Sequence, residues 1–320
     1  MTDVPRRTVL AAAAAAAAMA TLSGCTSPFA DTRLRLATGS ERGVYYSLGS
    51  ALALAWDEEL GLAEPPQVLS TAGSVENVLL LAAGEADVAF SQIDAAVERL
   101  AGTTASDPEV PRALARIYDD VLHVVVPATS SLTAVSQLRG LRVSVGAPDS
   151  GVSVVAERVL DAAGLGEAEL RAVRLGLDDS VSAVLTGDID AFFWSGGLPT
   201  PAVTQLAAQL PIRLLDLDDD GVLTAMRARH PVYAAGTVPA ESYTGLTTPV
   251  TTLLVRNFLL VRAAMPDALA EELVRVLFSE QEAVARAGPA ALTIDPRAAI
   301  GTQPILLHPG AERFYREERG

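Results

Sequence analysis

The sequence has no lysine and a single cysteine. All 24 basic residues are arginine, which excludes chemistry that needs a lysine, such as a Schiff base or a phosphate-binding P-loop. Cys25 alone cannot form an internal disulfide, a CxxC redox pair or a thiolate zinc site. The histidines His123, His230 and His308 lie far apart and show no HExxH-like spacing. We therefore expect neither a metal nor a cofactor, and we interpret His123, which lies in a β-branched run, as a core residue.

Positive charge is scarce as well. The net charge of −15 argues against nucleic acid as a partner and against an anionic membrane surface as the main attractor. Half of the 320 residues are apolar. A chain of this length and composition can form two domains of about 100–200 residues, each with its own core.

The first 30 residues have the pattern of a targeting segment and tether. Arg6 and Arg7 begin a basic region, and the apolar run at residues 9–20 is shorter than the about 20 residues that cross a membrane. Residues 22–25 match the bacterial lipobox, which predicts cleavage before Cys25 and lipidation of its thiol. A small-residue cleavage site that happens to contain cysteine is the alternative. The paired arginines leave open whether export is twin-arginine or general secretory.

Three times between residues 34 and 94, a strand pattern passes into a helix pattern through a turn of small or polar residues. We call such a turn an elbow. The strands are predicted at residues 34–38, 67–70 and 87–91, and the elbows at 39–43, 72–77 and 92–94. In an open α/β sheet, elbows of this kind lie together at the carboxyl ends of the strands, where ligands bind.

The pattern then starts again. After a polar loop at residues 102–111, residues 121–126 predict a buried strand, and residues 141–145 predict a strand that leads through an elbow at 146–151 into a helix. Two elements recur in the same order: Leu34-Arg35 is matched by Leu141-Arg142, and Gly84-x-x-Asp87 by Gly187-x-x-Asp190. We interpret the two passages as lobes of the same design.

The C-terminal part lacks an elbow of its own. Residues 251–262 predict a long strand and residues 266–287 an amphipathic helix. We therefore expect this part to return to the first lobe, so that two crossover strands join the lobes. The predicted fold is α/β and two-lobed, each lobe a mostly parallel sheet flanked by helices, with lobe 1 at residues 31–125 plus 246–320 and lobe 2 at residues 126–245.

The elbows are candidate anion sites. A helix N-terminus has unsatisfied N–H groups and about half a positive charge, so it binds a carboxylate or phosphate without a cationic side chain. Small residues also cap helices and turn chains without any ligand, but several elbows at one cleft favour a site. Ser74 is the predicted N-cap of its helix, with Asn77 at the capping-box position. The candidate residues at the elbows are Thr38, Gly39, Ser40, Ser74, Asn77, Ser150, Gly151 and Val152.

Other candidates are side chains beside these elbows. Tyr45, the first of two adjacent tyrosines, offers an apolar face and one hydroxyl. Gln92 and Asp94 stand at the end of a strand, and Asp94 either caps its helix or meets an ammonium or hydroxyl group of the ligand. In the second lobe, Trp194 and Ser195 end an aromatic strand before a Gly-Gly turn.

The sequence resembles the TAXI family, the extracytoplasmic solute receptors of TRAP-type secondary transporters. The resemblance implies a type II periplasmic binding protein fold, with a pocket lined by the candidate residues named above. Val152 departs from the family, which has a hydroxyl residue there, and this leaves the identity of the ligand open. The segments that carry the resemblance are Thr38-Gly39-Ser40-x-x-Gly43-Val44-Tyr45-Tyr46, Gly73-Ser74-Val75-Glu76-Asn77, Gly84-Glu85-Ala86-Asp87-x-x-Phe90-x-Gln92-x-Asp94 and His308-Pro309-Gly310, the last read as the start of a structural helix that closes the first lobe.

The sequence therefore predicts a lipid-anchored, monomeric solute-binding protein outside the cytoplasm. We expect it to capture a small carboxylate, an amino acid such as glutamate or a dicarboxylate, for a TRAP-type permease. An ABC permease or a sensory system is the alternative partner. An extracytoplasmic hydrolase is the remote alternative, because no GxSxG motif marks a nucleophile at an elbow.

Overall fold

The structure of the chain is a computed structural model that describes residues 27–318 except residues 102, 105–106 and 288. The predicted signal segment and the lipidation site Cys25 lie outside these residues. Within the described ranges, no helix is long and apolar enough to cross a membrane.

The described residues form a ten-stranded sheet with helices on its faces. Its order is β2-β1-β3-β10-β4-β7-β5-β6, with β8 beside β4 and β9 beside β10. The strands are β1 (Arg35–Ala37), β2 (Gln67–Leu69), β3 (Val88–Gln92), β4 (Pro111–Pro127), β5 (Arg142–Ser144), β6 (Arg171–Val173), β7 (Ala191–Gly196), β8 (Ile212–Leu214), β9 (Ala234–Val238) and β10 (Val250–Arg262).

A helix follows each strand from β1 to β8 except β4, and the remaining helices cluster at the C-terminal end. Short 3-10 turns occur at residues 135–138, 167–169 and 289–293. The helices are α1 (Val44–Leu60), α2 (Ser74–Ala83), α3 (Ile93–Leu100), α4 (Gly151–Ala162), α5 (Leu177–Thr186), α6 (Pro201–Gln209), α7 (Val222–Arg229), α8 (Asp267–Ser279), α9 (Gln281–Ala287), α10 (Pro296–Ala299) and α11 (Pro309–Glu317).

Two long antiparallel strands, β4 and β10, form the centre of the sheet. On one side β1 pairs in parallel with β2 and β3, and on the other β5 pairs in parallel with β6 and β7. We call β1–β3 with their helices the first lobe and β5–β7 with theirs the second lobe. The predicted α/β class, with a mostly parallel sheet on each side and two crossover strands, is confirmed. The residue boundaries of the lobes stay a prediction.

The strand predicted at residues 121–126 begins ten residues earlier, because β4 spans Pro111–Pro127. Its first half pairs with β10 and its second half with β7 and β8. The charged residues Arg116, Asp119 and Asp120 interrupt the apolar pattern there. The polar loop predicted at residues 102–111 therefore ends one residue earlier, because Pro111 is the first residue of β4.

The predicted repeat is confirmed by matching hydrogen bonds in the two lobes. In the first, Gly84 ends α2 at φ 71°, and the Asp87 carboxylate accepts from the Arg35 backbone N–H at 2.8 Å. In the second, Gly187 ends α5 at φ 76°, and Asp190 accepts from the Arg142 N–H at 2.9 Å. The left-handed glycine and the aspartate together turn the chain from a helix into the next parallel strand.

The C-terminal helices contact α1 of the first lobe and the crossover strand β4. The buried Trp56 of α1 donates its indole N–H to the Leu273 carbonyl of α8 at 3.1 Å. In α11, the Tyr315 hydroxyl donates to the Leu114 carbonyl of β4 at 3.0 Å, and His308 caps the helix by accepting from the Gly310 N–H. The segment that begins at His308 is therefore structural.

A glycine inside α1 allows the helix to lie close to the sheet. A Cβ atom at Gly49 would lie 2.6 Å from Thr38 Cγ2 and 3.2 Å from Phe90 Cε2. We expect Gly49→Ala to lower the free energy of unfolding by about 1–3 kcal/mol, the usual cost of overpacking, although alanine is the better helix former. Denaturant titration measures this. The control Gly166→Ala, where the nearest atom would be 3.9 Å away, should change stability by less than about 0.5 kcal/mol. Equal effects would contradict this account of the packing.

Candidate functional site

A cavity of about 100 Å³ lies between the lobes, at the carboxyl ends of the parallel strands. One water needs only about 10–15 Å³ of such space, so the cavity can take a small solute. Ten of the thirteen predicted ligand-binding residues line it: Gly39, Ser40, Tyr45, Ser74, Gln92, Ser150, Gly151, Val152, Trp194 and Ser195.

Two predicted residues outside the lining, Thr38 and Asn77, hold the elbows in shape. The Thr38 hydroxyl donates to the Leu69 carbonyl at 2.6 Å. The Asn77 amide donates to the carbonyls of Thr38 and Phe90 at 2.5 and 2.8 Å, and its oxygen accepts from the Thr71 hydroxyl at 2.6 Å. Asn77 is fully buried, so it acts as a brace between three segments rather than as a capping-box residue.

Asp94 also lies away from the lining, and its Oδ1 accepts from the Ala95 backbone N–H in the first turn of α3 at 2.9 Å, which is the capping alternative of the prediction. Its carboxylate accepts from the Tyr233 hydroxyl at 2.7 Å, and the Arg158 guanidinium lies 3.7 Å away. Burial raises the pKa of Asp94, while the Tyr233 hydrogen bond and the Arg158 charge lower it. Asp94 belongs to the first lobe, Arg158 to α4 of the second lobe and Tyr233 to the segment before β9, so Asp94 joins the first lobe to both.

The three helix N-termini predicted from the elbows at residues 39–43, 72–77 and 146–151 open onto the cavity. Gly43 is the N-cap of α1, Gly73 of α2 and Ser150 of α4, where the Ser150 hydroxyl accepts from the Ser153 N–H at 3.1 Å. The prediction that Ser74 caps α2 is wrong, because α2 begins at Ser74 and its hydroxyl accepts from the Gln92 N–H at 3.1 Å instead. The cap position requires φ 127°, a backbone conformation that glycine adopts without strain and that residues with a side chain rarely adopt.

The two lobes touch across the cavity. The Glu76 N–H of α2 donates to the Asp149 carbonyl of the second lobe at 2.9 Å. The Gln92 side chain donates to the Ser195 hydroxyl at 2.7 Å. At the rim, Arg42 forms an ion pair with Asp178 and donates to Gln205 at 3.3 Å. The structure is therefore a closed arrangement of the lobes.

Aromatic rings form the apolar wall. Tyr45 stacks on Phe90 with ring centroids 5.1 Å apart, and its hydroxyl bonds to the Asn257 side chain and lies 3.4 Å from the Ser74 hydroxyl. On the opposite side, the Trp194 indole N–H donates to the Thr200 hydroxyl at 2.9 Å. Because both polar groups have partners within the protein, the rings offer a solute mainly apolar surface.

Sequence reasoning missed Tyr118 and Asp120, which enter the cavity from β4. Asp120 is 2% exposed and accepts from the Gln92 amide at 2.6 Å. Burial raises its pKa from 3.8 to about 7, although the amides of Gln92 and Asn257 oppose that shift. The sequence signal that could have identified Asp120 is the pair Asp119-Asp120 directly before the apolar run at residues 121–126. Burying a carboxylate in a strand costs free energy, so such a residue is expected to have a function. The elbow before α5, at residues 175–177, was also missed.

Unpaired polar atoms concentrate at this cavity. Five buried side-chain polar atoms of the described residues have no hydrogen-bond partner, and four belong to residues that line it: Ser40 Oγ, Gln92 Oε1, Tyr118 OH and Asp120 Oδ1. Folded proteins pair nearly all such atoms. The cavity is thus suited to a polar solute that supplies the missing partners.

None of the three histidines lines the cavity. His123 is a buried core residue, as predicted: its ring nitrogens contact the Val121 carbonyl at 2.7 Å and the Tyr243 hydroxyl at 2.9 Å. Burial lowers its pKa to about 4. The imidazole that an acyl-transfer mechanism would place at its nucleophile is therefore not found in the lining.

The fold is that of the periplasmic binding proteins. Residues 36–319 match the NMT1-like family, and the chain belongs to that family. Solved structures of similar fold include XAC2383 from Xanthomonas citri bound to chloride ion, at 15% identity over 89% of this chain and 99% of that one, with a TM-score of 0.50. Another is the zinc-bound ligand-binding component of an ABC-type import system from Staphylococcus aureus, at 9% identity, 83% and 88% coverage and a TM-score of 0.50. At such identities the likeness shows the fold alone.

The buried Asp120 makes stability depend on pH. Its folded pKa of about 7 lies above the ordinary 3.8, so stability is lost as pH rises between these values. Because an amide does not ionise, we expect Asp120→Asn to be more stable than the wild type at pH 8, by at most about 4 kcal/mol, and no more stable below pH 4. Thermal unfolding at several pH values, without added solute, measures the difference.

Asp119→Asn is the matched control, because Asp119 lies outside the cavity and pairs with Arg116 at 2.8 Å. It should not reproduce the gain at high pH. A gain for Asp120→Asn that is the same at pH 4 and pH 8 would contradict the assignment of a buried, titrating carboxylate.

Proposed function

We propose that this chain is an extracytoplasmic solute-binding protein that closes its lobes around a small carboxylate and delivers it to a membrane permease. The observation that carries the proposal is the convergence of three helix N-termini and four unpaired polar side-chain atoms on one cavity between the lobes. Membership of the NMT1-like family and the periplasmic binding protein fold support it.

The proposal that the solute carries a carboxylate rests on the helix N-termini. The N–H groups at the starts of α1, α2 and α4 belong to residues that line the cavity, and no lining residue is Arg or His. An anion there is bound by backbone amides and the helix dipoles, which suits one carboxylate more than a highly charged phosphate. An amino acid such as glutamate, or a dicarboxylate, fits this site.

The resemblance to the TAXI family makes a TRAP-type permease the proposed partner. The likeness to an ABC import component keeps an ABC permease or a sensory system as the alternative partner. Lipidation at Cys25 is the proposed anchor to the outer side of the cell membrane. The genes next to this one distinguish the partners, because a fused, many-spanning TRAP permease beside it would support the first.

Binding is preferred to hydrolysis because the cavity has hydroxyls but no imidazole to activate them. The Ser74 and Ser195 hydroxyls contact Gln92, and the Ser150 hydroxyl caps α4. Each of these serines therefore has a structural partner in place of a general base.

Calorimetry and thermal shift of the purified protein against a panel of small acids test the proposal. The panel comprises amino acids, dicarboxylates and monocarboxylates. We expect at least one acid to bind with a dissociation constant in the micromolar range and to raise the melting temperature, because a ligand that binds only the folded state stabilises it. No heat and no thermal shift with any member would overturn the proposal.

Closure of the two lobes around the solute can be tested by adding one methyl group at Gly151. A Cβ atom at Gly151 would lie 2.1 Å from Gln92 Oε1 and 2.9 Å from Ser74 Oγ, both on the other lobe. We expect Gly151→Ala to fold normally and to bind the tightest acid of the panel about tenfold to a hundredfold more weakly, because the clash arises only when the lobes meet. Gly166→Ala is the control. Wild-type affinity in Gly151→Ala would contradict the closed arrangement as the binding state.

A further inference from the structure

The cavity contains a carboxylate whose charge the protein does not balance. Asp120 accepts from Gln92 through Oδ2, and the Asn257 amide also lowers its pKa, but no group stands at hydrogen-bonding distance and angle from Oδ1. No lining residue carries a positive charge, and Arg158 lies instead beside Asp94. A second acceptor, Gln92 Oε1, is also unpaired. Among the described residues, these two oxygens therefore have no hydrogen-bond donor.

The orientation of the Gln92 amide explains why its oxygen is left over. The Nε2 group donates to both Asp120, at 2.6 Å, and Ser195, at 2.7 Å, which uses its two protons. Its Oε1 lies on the side of Gly151, where a Cβ atom would approach it to 2.1 Å. The unpaired hydroxyls of Ser40 and Tyr118 can serve as donors or acceptors. Only the unpaired oxygens of Asp120 and Gln92 therefore require a hydrogen-bond donor from the solute.

We propose that Asp120 determines specificity by binding an ammonium group of the solute, which donates to Asp120 Oδ1 and Gln92 Oε1 while the helix termini bind the solute's carboxylate. This inference rests on the proposed function and narrows it. The solute class is then a zwitterionic amino acid rather than a dicarboxylate. An ammonium ion has three donors and the opposite charge, so it removes the cost of a buried, unbalanced carboxylate.

The proposal also predicts how affinity depends on pH. The groups near enough to act on the Asp120 carboxyl are Gln92 and Asn257, whose hydrogen bonds lower its pKa, Asp119 and Asp94, whose charges raise it, and the hydroxyls of Tyr118 and Tyr45. With a free-state pKa of about 7, an ammonium-bearing solute must release the Asp120 proton below neutral pH. Affinity should therefore rise about tenfold between pH 6 and pH 8. A solute that binds the protonated carboxyl would show the opposite trend.

The test compares each amino acid with the acid that lacks only its ammonium group. We use L-glutamate with glutarate, L-aspartate with succinate, and L-leucine with 4-methylpentanoate, by calorimetry on the wild-type protein at pH 8. In the pair that binds, the amino acid should bind at least about tenfold more tightly, because its partner leaves two buried acceptors unpaired. Equal or tighter binding by the deaminated acid overturns the inference while the proposed function stands. Absence of binding by every acid overturns both.

Two variants test whether Asp120 causes the preference for an amino acid over the acid that lacks its ammonium group. We expect Asp120→Asn to lose the preference for the ammonium group, and Asp119→Asn, outside the cavity, to keep it. Unfolding curves show that each variant is folded. Retained preference in Asp120→Asn overturns the inference. The rise in wild-type affinity from pH 6 to pH 8 needs no variant, so a fall over that range would contradict the proposal even if Asp120→Asn failed to fold.

Discussion

The Gln92 side chain is the contact on which the closed cavity depends. It donates to Asp120 on the crossover strand β4 and to Ser195 of the second lobe, while its backbone N–H donates to Ser74 at the start of α2. One residue thus connects the first lobe, the crossover strand and the second lobe. Because these bonds are buried, breaking one leaves an unpaired group and costs more than an exposed bond would.

Charge at the cavity is arranged without cationic side chains. The protein carries a net charge of −15, and the arginines that join the lobes are Arg42 at the rim and Arg158 beside Asp94. Helix termini can attract an anion in this setting because their field acts over one turn and is strongest where water is excluded. A buried Asp120 in the same cavity repels that anion unless the solute also brings positive charge. These two features together limit the solute far more than the fold does.

The sequence allowed the local architecture to be predicted. Glycines 84 and 187 end helices, and Asp87 and Asp190 follow them at the same distance, so the repeat could be recognised before the hydrogen bonds to Arg35 and Arg142 were seen. The elbows at Ser40, Ser74 and Ser150 were predicted for the same reason: they depend on neighbours in sequence. What could not be predicted depends on distant contacts. Asn77 was predicted at a capping-box position but braces three segments, and Asp94 bonds the first turn of its helix as predicted but also bonds Tyr233, 139 residues away. The place of Asp120 in the cavity could not be predicted, because its strand β4 pairs with β10, which lies more than a hundred residues later in the sequence.

Closure around a solute is the central claim, and small-angle X-ray scattering tests it most directly. The radius of gyration of the purified protein is measured alone and with a saturating concentration of the acid that binds most tightly. The account predicts a smaller radius with the acid, because the solute draws the two lobes together into the closed arrangement described above. An unchanged or larger radius at saturation would contradict it.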